Sequence, residues 1–235
     1  MKFIWAVATH QGMVRQNNED TLFPDSSGES GDSAVLMVAD GMGGHVAGEV
    51  ASRLAVNAAA STDVSPGDRV AAANRAIREE VARQPELEGM GTTLTLVELD
   101  SEGKARFGHV GDSRAYIYKD GKLLQLTDDH TVAAEYVALG QLTPEEAHDH
   151  PQSHMLTRCL GLTRFVNVDE FTLELEPGDR ILLCSDGLSG MVDDDTIAKT
   201  LGIEAADEAA WKLIDEANEA GGTDNISVVV IDVLS

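Results

Sequence analysis

Residues 36–44 read LMVADGMGG, and residues 182–190 read LLCSDGLSG. Each is an apolar run that stops on Asp-Gly, adds one apolar residue and closes in a turn ending on glycine. The first belongs to a longer run, Ala34-Val35-Leu36-Met37-Val38-Ala39, halted by Asp40. Short apolar runs bounded by turn residues read as core strands. The pattern recurs in GHVGDSR at 108–114, where Asp112 follows the strand candidate Ala105–Val110. It recurs again in GGTDNISVVVI at 221–231, where Asp224 stands just before a strand. One Asp-Gly is ordinarily a turn and nothing more. The repetition points instead to aspartates carried by several core strands to one pole of a sheet structure.

The remaining strand candidates are Phe3–Ala8, Thr93–Leu99, Ala115–Tyr118, Lys122–Leu126, Asn167–Leu175, Arg180–Cys184 and Ser227–Val233, with Ala34–Ala39 already named. Turn residues separate many of them, and Asp120-Gly121 within KDGK is a hairpin signal. Helix candidates are Val46–Ala60, a segment opened by Pro66, Val132–Leu139, a capped start at Thr143, a cap at Asp193–Asp195, and Ala205–Ala217. Helices come in blocks and do not alternate with strands. This pattern favours an α+β fold with antiparallel sheets over a parallel one. No linker interrupts the chain, so a single domain over 1–235 is expected, with surface excursions at Gly28–Asp32 and Thr143–Ser153.

The chain has 235 residues, 43% of them apolar but only 4% aromatic, so the core must be aliphatic. A net charge of −24 argues against nucleic acid and anionic membranes as partners, because both require basic patches. Two cysteines far apart, Cys159 and Cys184, suit a reducing compartment. The N-terminus lacks a signal-peptide pattern, and no apolar run approaches the ~18 residues of a membrane span. A soluble cytoplasmic protein is expected.

Carboxylates brought close together cannot all stay ionised unless cations compensate them. Ligands that are all oxygen select Mg²⁺ or Mn²⁺ over zinc. Glycine after the aspartate fits, since without a Cβ the carbonyl of Gly41 can approach an ion. A phosphate cradle does not fit. No lysine follows these glycines as a P-loop needs, and GMGGHV at 41–46 is not G-x-G-x-x-G.

These residues resemble the metal-dependent protein serine/threonine phosphatases of the PP2C (PPM) family, in their compact bacterial form. The matching stretches are GMVRQNNED at 12–20, VADGMGGHVAGEVAS at 38–52, GMGTTL at 89–94, GHVGDSRAYIY at 108–118, LTDDHT at 126–131, LTRCLG at 156–161, LLCSDGLSGMV at 182–192 and GGTDNISVVV at 221–230. Eight motifs in one order cover nearly the whole chain. The resemblance implies an α-β-β-α sandwich of two antiparallel sheets flanked by helix pairs. It implies that Asp40 bridges two Mn²⁺ or Mg²⁺ ions, that the Gly41 carbonyl joins the first, and that Asp186 and Asp224 join the second. It implies too that Glu19 and Asp20 act mainly through bound waters, that Asp112 holds a weaker third ion shared with Asp186, and that Arg15 clamps the substrate phosphate. The implied reaction is hydrolysis of phosphoserine and phosphothreonine in proteins by a hydroxide activated between two ions. The implied partners are phosphoproteins and a cognate kinase, and the chain is expected to be a monomer. Met42 stands where some eukaryotic relatives carry a histidine, and His10 where many bacterial ones carry aspartate. His45 lies nearby without an assigned role.

Rival readings are weaker. His148, His150 and His154 could form a zinc cluster, but they fall where the family has a flap beside its cleft. A cysteine phosphatase needs five residues between Cys and Arg, whereas only four separate Cys159 from Arg164. Both cysteines, His130 and Arg114 read as structural. A Ca²⁺-binding loop is absent. A non-catalytic phosphatase-like sensor is the remaining alternative, and intact Arg15, Asp40, Asp186 and Asp224 argue against it.

Overall fold

Several strands of this chain are apolar at consecutive positions, which requires cover on both faces. The computed structural model, which describes all residues except 44–46 and 149, supplies that cover with four layers. Strands β1 (Lys2–His10), β3 (Gly28–Ser30), β8 (Arg114–Lys119), β9 (Lys122–Gln125), β11 (Arg180–Cys184) and β12 (Ile226–Leu234) form one sheet, ordered β3-β1-β12-β11-β8-β9. Strands β2 (Asp20–Phe23), β4 (Ala34–Met42), β6 (Leu94–Leu99), β7 (Lys104–Val110) and β10 (Asp169–Glu174) form the other, ordered β10-β7-β6-β4-β2, with β5 (Gly91–Thr92) paired to the end of β4. All pairings are antiparallel.

Side-chain alternation distributes the apolar residues among three cores. Leu36, Val38, Leu183, Val229 and Ile231 meet between the sheets. Met37 and Ala39 turn the other way, onto helices α1 (Ala47–Ala60) and α2 (Pro66–Arg83), against Ala51, Ala55 and Ile77. Leu182, Cys184, Val228 and Val230 face the opposite helical layer, α5 (Asp186–Ser189), α6 (Asp194–Ile203) and α7 (Ala206–Glu219). Alanines at 51, 55, 59, 206, 209, 210 and 217 let these helices lie close to the sheets. Among the described residues, no helix is long and apolar enough to cross a membrane.

Local signals act where the sequence places them. Ser65 accepts from the Asp68 amide and Pro66 opens α2. Thr131 caps α3 (Val132–Ala138) through the Ala134 amide at 3.2 Å. Thr143 and Glu146 exchange side chain-to-backbone bonds of 3.2 and 2.9 Å, a complete capping box for the short helix α4 (Pro144–His148). Asp193 caps α6 through the Thr196 amide at 2.8 Å. Asp120 and Gly121 have φ of 51° and 77°, which makes the β8–β9 hairpin a type I′ turn.

Three expectations need correction. Gly28–Asp32 is only partly an excursion, because Gly28–Ser30 pairs with β1 as an edge strand. Asp20–Phe23 is a strand that the sequence did not announce, being too short to show alternation. Asp40 does not end its strand, for β4 runs on to Met42. The Val46 start expected for α1 lies outside the described residues.

Candidate active site

β2 and β4 are paired in a register that sets Asp20 directly opposite Asp40. Alternation gives both the parity of Leu22 and Val38, so their side chains face the gap between the sheets at its rim. From the other sheet, β11 delivers Ser185 and Asp186, while Asp224 stands at the start of β12. The echo between the two Asp-Gly segments therefore joins opposite sheets at one pole. The two segments also diverge: the chain stays extended after Asp40, whereas Asp186 begins the helical turn α5.

The glycines have a reason the sequence did not supply. A Cβ on Gly41 would fall 2.2 Å from the Gly48 carbonyl oxygen, and one on Gly187 2.0 Å from that of Asn225. In each segment glycine admits another stretch of backbone beside the aspartate. The first approach brings in the α1 N-terminus, and the second the Asp224–Asn225 turn.

Polar contacts fix the group. Ser185 Oγ donates to Asp20 Oδ2 at 2.7 Å. The Asp40 amide donates to Thr93 Oγ1 at 2.9 Å, and the Thr93 hydroxyl also lies 2.7 Å from Ser113 Oγ, which ties Asp40 to the turn bearing Asp112. Asn225 accepts from the Glu19 amide at 2.8 Å and donates to the Gln11 and Asn17 carbonyls, so it anchors the loop that carries Arg15 and Glu19. Arg15 Nη2 lies 2.5 Å from Asp224 Oδ2. Sequence reasoning missed Thr93, Ser185 and Asn225. The only sign of them is position beside a named aspartate or in GTT, which says nothing about partners.

Arg15, Glu19, Asp40, Gly41, Met42, Thr93, Asp112, His154, Leu156, Asp186, Asp224 and Asn225 are among the residues lining one open cleft of ≈ 650 Å³. Asp20 lies behind them. The structure thus gathers every residue singled out for the site. Burial pushes the carboxyls of Asp20, Asp40, Asp112 and Asp186 above the usual range, and mutual repulsion adds to it. Burial also raises Glu19. The bond to Asp224 raises Arg15, so its charge is permanent.

Two buried oxygens, Asp20 Oδ1 and Asp186 Oδ1, have no hydrogen-bond partner among the described residues. Orphaned carboxylate oxygens inside a hard-oxygen cluster fit divalent cations of the Mg²⁺ or Mn²⁺ type. The carboxylates do not converge on a single point: among the described residues no three His, Cys, Asp or Glu side chains are grouped as a metal would need. Arg15 holds Asp224.

A family model for protein phosphatase 2C matches residues 9–216. The chain belongs to the protein phosphatase 2C family. The serine/threonine protein phosphatase PstP of Mycobacterium tuberculosis is 44% identical over 98% of this chain and 45% of its own length. The chain thus spans about half of that relative. The serine/threonine phosphatase stp of Listeria monocytogenes is 34% identical over 95% of this chain and 93% of its own. The crystal structure of the PstP catalytic domain, in complex with two manganese ions, superposes with a TM-score of 0.88 at 40% identity, each chain covered in full. The four-layered sandwich is the protein phosphatase 2C fold, as its motifs imply.

The rival sites dissolve. His150 Nδ1 accepts from the Gln152 amide and its ring stands edge-on to Tyr136, while His154 lies 3.9 Å from Asp186. Cys159 and Cys184 are buried, with their thiols pushed up to about 11 and about 12 by burial, so neither is a nucleophile. Arg114 is held by both oxygens of Asp129. His10 Nδ1 accepts from the Gly12 amide. His45 lies outside the described residues.

Proposed function

We propose that this chain hydrolyses phosphoserine and phosphothreonine in proteins, using two Mn²⁺ or Mg²⁺ ions and a weaker third. The observation that carries the reading is the half-buried carboxylate cluster with two orphaned oxygens, opening beside the permanent cation of Arg15 in one cleft. Relatives named serine/threonine phosphatases over this same length support it.

Asp40, the Gly41 carbonyl, Asp186 and Asp224 would hold the inner pair, with Glu19 and Asp20 acting through waters and Asp112 holding the outer ion. Bound there, the ions supply an acidified water as nucleophile and neutralise charge on the phosphoryl oxygens. The chain's own residues do the rest. Arg15 exchanges Asp224 for two phosphate oxygens, which its planar fork spans, and so orients the phosphorus. Thr93, Ser185 and Asn225 keep the carboxylates in place, so that little rearrangement accompanies reaction. Leu156 and His154 wall the cleft on the flap side. The substrates are products of a serine/threonine kinase, and we place the chain, as a monomer, in the cytoplasm.

The test is hydrolysis of p-nitrophenyl phosphate and of a phosphothreonine peptide, with EDTA and with Mn²⁺. Turnover of both that depends on Mn²⁺ is expected. No turnover at any Mn²⁺ concentration would leave a phosphatase-like binding module.

A further inference from the structure

β1 ends at His10, and the chain then loops through residues 11–19 before it returns as β2. This loop carries Arg15 and Glu19. Asn225 tethers it at the Gln11 and Asn17 carbonyls and at the Glu19 amide. The Gly222 carbonyl accepts from the Met13 amide at 2.7 Å. Between these tethers a side chain holds the turn itself: His10 Nδ1 accepts from the Gly12 amide at 3.0 Å. Gly12 is buried, and among the described residues its amide has no other partner. A ring nitrogen that reaches two residues forward closes the turn as an Asx side chain does.

The turn is seated against the segment that bears Asp224. Gly12 has a φ of 77°, and a Cβ there would fall 2.1 Å from the Asp224 carbonyl oxygen and 2.7 Å from that of Gly222. The Gly12 α-carbon therefore abuts that backbone, and Arg15, a little further along the loop, reaches Asp224 Oδ2 at 2.5 Å. Asn218, in the last turn of α7, places Nδ2 3.3 Å from the same His10 nitrogen, and its Oδ1 is buried without a partner among the described residues. Because Nδ1 receives an N–H on its single lone pair, the proton of His10 sits on Nε2. His10 itself does not line the cleft.

We propose that His10 is a positioning residue for the phosphate clamp. By holding the Gly12 amide it fixes the turn against the Asp224 segment, and so fixes where the Arg15 guanidinium stands beside the carboxylates. Without the acceptor, the buried Gly12 amide must turn outward to find water, and the Arg15 segment loses its seat. The inference rests on the proposed function only in taking Arg15 as the group that binds phosphate.

His10→Asn sets an amide oxygen where Nδ1 stands and keeps an acceptor for Gly12, whereas His10→Ala removes it. In the metal-free protein, hydrogen exchange of the Gly12 amide, followed by NMR, should be about tenfold or more faster in His10→Ala and near wild type in His10→Asn. With Mn²⁺, His10→Ala should weaken inhibition of p-nitrophenyl phosphate hydrolysis by inorganic phosphate about fivefold. It should raise KM by a similar factor while kcat falls by less than about twofold, and His10→Asn should keep both near wild type. In an Arg15→Ala background, where the clamp is already lost, His10→Ala should weaken phosphate inhibition by less than about twofold. A purely structural role would lower stability and leave phosphate inhibition and KM unmoved, which would overturn the proposal. So would Gly12 exchange unaltered by His10→Ala, or an undiminished effect of His10→Ala without Arg15. If His10→Ala does not fold, His10→Gln, whose amide extends past the Gly12 N–H, serves in its place for the same readouts. A wild type without Mn²⁺-dependent turnover would instead refute the phosphatase reading. Gly12 exchange and the affinity for inorganic phosphate, titrated by NMR, would still decide the role of His10.

Discussion

The proposed ligand role sets two demands on Asp20, Asp40, Asp112 and Asp186 against each other. As ligands they would be needed charged, and as largely desolvated groups they are costly charged. Asp186→Asn should therefore abolish Mn²⁺-dependent turnover and yet raise the melting temperature in EDTA, because it removes a charge whose Oδ1 has no partner. Activity assay and calorimetry on one preparation check both halves, and a variant both active and unstable would contradict the assignment. Arg15 has the simpler position. It is half exposed and, among the described residues, paired only with Asp224, so Arg15→Ala should fold normally. It should weaken inhibition by inorganic phosphate by roughly tenfold or more and raise KM more than it lowers kcat. At this scale the sequence was informative for the charged residues, because an aspartate after an apolar strand is itself an oddity. It was silent on Thr93, Ser185 and Asn225, since a small polar residue gains meaning only from what lies across the gap.

Among the elements, the sequence revealed the long strands and helices and concealed how they meet. Runs such as Ile181–Cys184 show no alternation, so nothing in them separates the face toward the other sheet from the face toward α7. The layer order follows only once both covers are present. β2 and β3 were hidden for another reason: they are short edge strands whose pairing comes from β4 and β1, not from their own composition. Yet β2 decides the site, since its register sets Asp20 against Asp40. The Asp-Gly echo was legible, but its glycine, read as letting a carbonyl approach an ion, also makes room for backbone, which the sequence does not show. Gly187→Ala tests this directly. A methyl group 2.0 Å from the Asn225 carbonyl must push the β12 turn away from α5. The expected cost is about 1–3 kcal/mol in chemical denaturation. Asp224 moves with that turn, so Mn²⁺ affinity should fall as well. A variant with wild-type stability would show that the two segments can separate freely.

On the scale of the whole molecule, the carboxylate pole makes folding stability depend on pH in a direction opposite to that of most acidic proteins. Paired carboxylates usually have lowered pKa values in the fold, so acid destabilises. Here Asp20 is raised to about 7, and Asp40, Asp112 and Asp186 are raised by burial and by one another. The unfolded chain ionises these groups near the ordinary value of about 4. Between that value and the raised ones, the folded state binds more protons than the unfolded state. Stability therefore falls as pH rises through this window, and the penalty is complete only above the raised values. In EDTA, the melting temperature should be higher near pH 5.5 than near pH 8, by roughly 5 °C or more. The acidic surface, with a net charge of −24 at pH 7, also destabilises the fold through self-repulsion. Salt separates the two contributions. Exposed charges are screened within about 8 Å at physiological ionic strength, whereas the buried pole is screened far less. The pH trend should persist at high salt and be largely removed by Asp40→Asn together with Asp186→Asn. Saturating Mn²⁺ should reverse its sign, because ions bind only the deprotonated ligands and so favour the fold more as pH rises. If melting temperatures in EDTA climb from pH 5.5 to pH 8, the carboxylates are not held protonated, and the account of the pole as a charge cluster awaiting cations is wrong.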